Sequence, residues 1–303
     1  MSSIVGIGAC VMDTLITLPH YPKEDTKLRA ADSRLAGGGP TATGLVAASK
    51  LGADCAYIGM LSNDSGGVFL KQDFEKYSVS TELISICEGY RSFTSTIWLS
   101  QESASRTCVF DKGNLPGLQL NAAQKTAVAQ AKILMVDGNE LDAAVEAAKI
   151  AKANGTKVLY DCGGLYPNVS RLLEYTDIMI PSEEFALGHT GCKSAEEAAR
   201  ELYRRYQPEI VVVTQGKKGG LLFDGTQCKA YPAFLVEAVD SNGSGDVFHG
   251  AFAAAMVKGF PYEKCCVFSS AVSAIKCTGI GARESAPNLE TVIKFLEEKG
   301  YEF

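Results

Sequence analysis

Long apolar runs are missing from this chain: glycine, serine or a charged residue interrupts each hydrophobic stretch before it reaches membrane-spanning length. Met1-Ser2-Ser3 carries no basic segment and leads straight into an apolar run, so no secretory signal is expected. Histidine is scarce, and His20, His189 and His249 have no metal-ligand spacing. None of the ten cysteines forms a Cys-x-x-Cys pair, and 303 residues is too long for a disulfide-stapled scaffold. Reduced, mostly buried thiols and a cytoplasmic location are expected. Gly6-Ile7-Gly8 lacks the third glycine of a dinucleotide fingerprint, since Val11 stands there, which weighs against a nicotinamide-dependent oxidoreductase. Gly216-Lys217-Lys218-Gly219-Gly220 lacks the P-loop spacing. A formal net charge of −6 leaves no basic surplus for nucleic acid, and there is no repeat, low-complexity tract or charged tail.

What the chain does have is enough apolar material, 46 % of its residues, for one large α/β unit spanning 1–303. Apolar runs at Tyr57–Gly59, Ile133–Val136, Val158–Tyr160, Ile178–Ile180 and Ile210–Val213 lack period-two alternation. Strands buried on both faces read this way, which implies a mostly parallel, doubly wound sheet flanked by helices. Asp142–Asn154, stopped by Gly155, and Ser194–Tyr206, with acids early and arginines late, read as two of those helices. Ligands in such folds bind at the C-terminal ends of the strands. Leu15–Leu35 and Arg91–Phe110 break the alternation and read as short strands outside the main sheet. Trp98, the only tryptophan, lies in the second stretch and reads first as core packing, second as an interface or substrate contact.

The most informative segment is Asp240-Ser-Asn-Gly-Ser-Gly-Asp-Val-Phe-His-Gly250. Gly243, Ser244 and Gly245 precede Asp246, which opens an alanine-rich helical run. Small residues at a helix N-terminus expose backbone N–H groups that bind phosphate. A carboxylate in that first turn would repel the phosphate, which makes sense if it takes a proton from an attacking hydroxyl. The segment alone supports equally an Asp that caps its own helix. His249, three residues after Asp246, reads as a packed or supporting histidine. Near the other end, Gly37-Gly38-Gly39-Pro40-Thr41-Ala42-Thr43 runs into a small-residue helix closed by Leu51-Gly52. Glycines there allow very close backbone approach, and Asp13 follows the first strand.

In this order the segments resemble the ribokinase-like carbohydrate kinases, the PfkB family, over nearly the whole chain. Ile58-Gly59-Met60 with Asn63-Asp64-Ser65-Gly66 is similar to the family's Gly-x-x-Gly-x-Asp-x-x-Gly stretch. Val213-Thr214-Gln215-Gly216-Lys217-Lys218-Gly219 is similar to its nucleotide-binding turn, and Asp240 to Asp246 to its signature Asp-Thr-x-Gly-Ala-Gly-Asp. The resemblance implies an ATP-dependent sugar kinase that uses magnesium, with a small β lid formed by about 14–36 and 90–112 over the sugar site. It further implies a homodimer contact through the lid. Gly243, Ser244 and Gly245 would form the anion hole and Asp246 would be the base. Asp13, Gly38, Gly39 and Thr43 would meet the sugar, and Thr214, Gly216 and Gly219 would shape the ATP site. Potassium is a candidate at Asp240, beside the anion hole.

The chain also departs from the family pattern. Thr43 stands where members often have Asn, and Ser241 and Ser244 replace Thr and Ala in the signature. The magnesium-ordering Asn-x-x-Glu motif gives way to Pro181-Ser182-Glu183-Glu184-Phe185. Glu183 or Glu184 is the candidate for magnesium, against a plain helix-dipole role for both. At branch level the chain is most similar to sulfofructose kinases and ketohexokinase-like proteins. This rests on Gly37 to Thr43, Tyr21 to Asp25, Asp246 to Ala251, Ala274-Ile-Lys-Cys-Thr278 and Gly281-Ala-Arg283. Lys27 lies where that branch would bind a sulfonate, while the partner arginine is replaced by Asn139. The expected activity is phosphorylation of a primary hydroxyl on a ketohexose or close derivative. A nucleoside or cyclitol kinase is the alternative in the same class, and a non-catalytic sugar-binding regulator the alternative outside it.

Overall fold

The computed structural model describes residues 2–103 and 105–303. The chain begins with β1 (Ile4–Ile7), β2 (Val11–Leu18), β3 (Asp32–Gly38), α1 (Pro40–Lys50), β4 (Cys55–Tyr57), β5 (Gly59–Ser62) and α2 (Ser65–Lys76). It continues through β6 (Val79–Ser80), β7 (Ile84–Cys87), β8 (Thr94–Ser100), β9 (Arg106–Asp111), α3 (Ala122–Gln130), β10 (Ile133–Val136), α4 (Leu141–Asn154), β11 (Lys157–Cys162) and α5 (Ser170–Leu173). The last third holds β12 (Ile178–Pro181), α6 (Glu183–Thr190), α7 (Ala195–Tyr206), β13 (Ile210–Thr214), β14 (Gly220–Phe223), β15 (Cys228–Tyr231), α8 (Ser244–Val257), α9 (Tyr262–Cys277) and α10 (Leu289–Glu298).

Nine strands form the main sheet in the order β15-β14-β13-β12-β11-β10-β1-β4-β6. Neighbours from β13 to β6 are parallel, while β14 and β15 extend the sheet antiparallel. Ile4, at the centre, lies opposite Ile133 on one side and Cys55 on the other. Side chains alternate between two cores. Ile4, Ile133, Met135, Ile210 and Val212 pack with α1, α8 and α9, whereas Val5, Leu134, Val136, Val211 and Val213 pack with α4 and α7. Both faces are therefore dry, which is why these strands read as unbroken apolar runs. The apolar run at 57–59 divides between two strands, because Ile58 N–H donates to Gly6 O at 2.8 Å and Gly59 starts a separate two-stranded pairing with β7.

A smaller four-stranded sheet is ordered β3-β2-β8-β9. Its strands overlap the two stretches set apart in the sequence, with β2 starting earlier at Val11, β3 running on to Gly38 and β9 to Asp111, and residues 19–31 between β2 and β3 form a loop. All ten cysteines are free thiols. No helix among the described residues is long and apolar enough to cross a membrane.

Two features bring the glycine-rich segments together. Helices α1 and α8 touch backbone to backbone, since a Cβ on Gly250 would lie 2.0 Å from Gly44 O. Asp137, the residue after β10, accepts hydrogen bonds from Ala9 N–H at 2.9 Å and Thr41 N–H at 3.1 Å. Its other oxygen accepts from Asn139 N–H at 2.9 Å. The start of α1 is thereby pinned at the C-terminal edge of the sheet, the edge where ligands bind in this architecture.

Candidate active site

Helix α8 begins without a side-chain cap. Gly243 adopts the left-handed conformation, φ 73° and ψ 9°, at the cap position, and a Cβ there would lie 2.4 Å from Ala282 Cβ. Only glycine fits, and with no side chain capping the turn its N–H groups are left for an anion, apart from Ser244 N–H, which donates to Ser241 O at 3.2 Å. Asp246 is half-buried in that turn. Burial raises its carboxyl above the ordinary range and nearby Asp137 raises it further. The charges of His249, Arg106 and Lys276 oppose the rise. The result is a carboxylate of increased basicity beside an anion-binding helix terminus, as proton abstraction from a hydroxyl requires.

His249 supports this turn from behind and is 3 % exposed. Its Nδ1 lies 2.6 Å from Gly245 O and 3.1 Å from Asp161 Oδ2, and its Nε2 lies 3.0 Å from Ile180 O. These contacts tie α8 to the end of β12. Asp161 is buried beside it, and burial lifts its carboxyl against the pull of His249. Asp161 carries no motif signal of its own; its place at the end of a parallel strand was the clue available in the sequence.

Asp13 sits in β2 at 8 % exposure, with Ser95 Oγ donating to Oδ1 at 2.6 Å. Burial pushes its carboxyl up to about 6, against the Ser95 hydrogen bond and the charge of Arg283, while the charge of Asp246 pushes the same way as burial. A Cβ on Gly38 would lie 2.0 Å from Asp13 Oδ2, so the glycine leaves room for the carboxylate itself. Gly39, at φ 91°, caps α1 and passes so near Ala9 O that a Cβ would lie 2.2 Å away. Behind this strand Arg283 is fully buried. It donates to Asp73 Oδ2 at 2.5 Å and to Gly38 O at 2.6 Å, and its guanidinium lies over the Phe74 ring. The sequence singled out Gly281-Ala-Arg283 only as a branch likeness, because the partners are 210 and 245 residues away.

On the other side of the α8 terminus lies a cavity of about 520 Å³. Thr214, Gly216 and Gly219 line it together with Ser244, Gly245 and an apolar wall that includes Phe234 and Phe248. The turn between β13 and β14 and the start of α8 thus share one cleft. Its apolar wall suits a flat aromatic base and its helix terminus suits phosphates.

Several expected residues lie elsewhere or do something different. Thr43 is buried within α1, where its hydroxyl accepts from Arg283 Nε at 3.5 Å. Lys27 is exposed on the 19–31 loop, not on a strand, and has no hydrogen-bond or ion-pair partner among the described residues. Of the two adjacent glutamates, Glu184 faces solvent. Glu183 accepts from Gln215 Nε2 at 2.7 Å, next to the nucleotide-side turn. The Asp240 carboxylate is already engaged by Lys276, Asn242 and Gly281. Arg106 of β9, unremarked in the sequence, reaches across to Asn242 in the signature loop.

Comparison with known proteins agrees with this arrangement. The model of the pfkB family carbohydrate kinases matches residues 1–289. A ribokinase from Haemophilus influenzae is 28 % identical over 297 residues, covering 96 % of this chain and 97 % of that one. A 5-dehydro-2-deoxygluconokinase from Clostridium perfringens is 25 % identical, covering 99 % and 94 % of the two chains. Among solved structures, Arabidopsis thaliana ribokinase complexed with ribose and ATP superimposes with a TM-score of 0.87 at 24 % identity, covering 98 % and 99 %. The match along almost the full chain, on a fold whose two glycine-rich helix starts meet at one sheet edge, shows that this protein belongs to the pfkB family of carbohydrate kinases and is a sugar phosphotransferase.

Proposed function

We propose that the chain transfers the γ-phosphoryl group of ATP to a primary hydroxyl of a small carbohydrate. The observation that carries this is the placing of Asp246 in an uncapped helix turn between a nucleotide-sized cleft and the Asp13 carboxylate. Asp246 takes the proton of the acceptor hydroxyl. The N–H groups of Gly243 and Gly245 hold the phosphates as charge shifts, joined by that of Ser244 once it releases its 3.2 Å bond to Ser241 O. Asp13, with the backbone at Gly38 and Gly39, orients the sugar, and Thr214, Gly216 and Gly219 border the nucleotide. Magnesium bound with the nucleotide would neutralise phosphate charge, and of the two adjacent glutamates Glu183, beside Gln215 in the β13–β14 turn, would be the one to hold one of its waters.

A ketohexose or close derivative is the preferred acceptor on the branch likeness. The relatives named as ribokinases support a pentose as the second reading. The exposed, unpartnered Lys27 gives no support to an anionic sugar tail. A purely regulatory role is disfavoured, because a sensor has no use for a base of raised affinity for protons.

The sugar side is tested through Asp13. Its carboxyl, raised to about 6, is ionised above that pH and protonated below it. A protonated Asp13 loses acceptor capacity for sugar hydroxyls, so KM for sugar should rise as pH falls through about 6, with KM for ATP flat. In Asp13→Ala the sugar KM should be high at every pH and the inflection gone. Parallel changes in both KM values would remove Asp13 from the sugar site.

The smaller sheet is proposed as the lid over the sugar. The face opposite Asp13 carries Leu35, Thr14, Thr96 and Val109 in one cross-strand row, with Leu35 51 % and Val109 63 % exposed. That face is proposed to pair two copies of the chain. Sedimentation should show a dimer that Val109→Lys dissociates, and a wild-type monomer would contradict it.

A further inference from the structure

The buried lysine of α9 sits on Asp240, the residue that the resemblance makes a candidate for potassium. Lys276 is fully buried, and its Nζ donates to Asp240 O at 2.7 Å and lies 3.5 Å from Asp240 Oδ2. A potassium ion at Asp240 would need oxygens of this kind, since such ions are held by carbonyl and carboxylate oxygens that replace water. The rest of Asp240 is committed as well. Oδ1 accepts from Asn242 N–H at 2.8 Å and Oδ2 from Gly281 N–H at 2.9 Å. The N–H groups of Val239 and Asp240 donate to Cys277 O at 2.8 and 3.2 Å. A potassium ion does not fit here, because it would meet an ammonium of the same charge on the same oxygens.

We propose that Lys276 is a tethered monovalent cation that holds Asp240 and the loop leading into α8, so that this chain shapes its anion hole without potassium or sodium. Two observations and one chemical argument support it. The loop from Val239 to Asn242 is sewn to the end of α9 and runs directly into the Gly243 cap, so the position of Asp240 sets where the first-turn N–H groups point. The Lys276 charge also reaches Asp246, where it favours the ionised base. An ammonium matches potassium in charge and nearly in radius, and its covalent tether removes the entropy cost of capturing a free ion.

The test compares chloride salts of potassium, sodium and tetramethylammonium at matched ionic strength, reading thermal melting and, separately, initial rate. Only the rate arm rests on the kinase reading. Wild-type melting temperature should be the same in all three salts, and the rate should vary by less than about twofold. A potassium-specific rise in wild-type melting temperature, or activation of about fivefold or more, would overturn the proposal. Lys276→Ala opens a space on Asp240, so potassium should raise its melting temperature and restore rate where tetramethylammonium does not. Lys276→Met fills that space without charge and should be low in rate and indifferent to salt. A folded Lys276→Ala with full rate and no salt response would also overturn it. If the alanine variant does not fold, the wild-type melting comparison alone decides.

Discussion

Replacing Asp246 by asparagine should lower turnover by about 10²–10⁴-fold while leaving the affinity for ATP close to wild type. Asparagine keeps the shape of the side chain and leaves the backbone of α8 untouched, so the anion hole and the 520 Å³ cleft persist. What disappears is the ability to accept a proton, in a carboxyl that burial and Asp137 have already made more basic than usual. The change should therefore fall on kcat, with KM for both substrates moving little. Nucleotide titration calorimetry beside steady-state rates separates the outcomes. Lost ATP binding would mean that Asp246 holds the turn together and does not move a proton.

The second large effect is on stability. Arg283→Met should cost about 3–5 kcal/mol, because it leaves the Asp73 carboxylate buried without its partner and the Gly38 carbonyl without its donor. The double variant Arg283→Met with Asp73→Leu should recover much of that loss, since removing both charges ends the desolvation penalty. Denaturant titration of the single and double variants reads this directly. A single variant as stable as wild type would show that the ion pair contributes nothing net. Sugar affinity should drop in both variants, because the guanidinium is also what positions Gly38 against Asp13.

These two sites illustrate what could be read from sequence. The motif at Asp240–Asp246 and the glycines at 37–39 are local, since a helix start and a close approach leave their mark within a few residues. The parallel sheet was equally legible from Ile133–Val136 and Ile210–Val213, whose side chains divide between two cores and so show no polar face. The residues that sequence left unplaced act over long separations. Arg283 meets Gly38, and Asp137 meets Thr41 and Ala9, with no periodicity to announce either pairing. Lys276 is the clearest case. On a helix it reads as one more charged residue, yet the fold buries it completely on Asp240, the residue the resemblance makes a candidate for potassium. Thr43 shows the converse, because its place in a motif suggested a ligand contact whereas α1 turns its hydroxyl toward Arg283.

The most direct test of phosphoryl transfer to a sugar is ³¹P NMR of product mixtures after incubation with Mg-ATP and single acceptors. The panel holds ketohexoses, pentoses, sulfosugars, cyclitols and nucleosides. A phosphomonoester signal split into a triplet by two methylene protons, formed with one acceptor class and absent with Asp246→Asn, is the predicted result. Inorganic phosphate alone, or an unchanged ATP spectrum with a sugar that demonstrably binds, would contradict it.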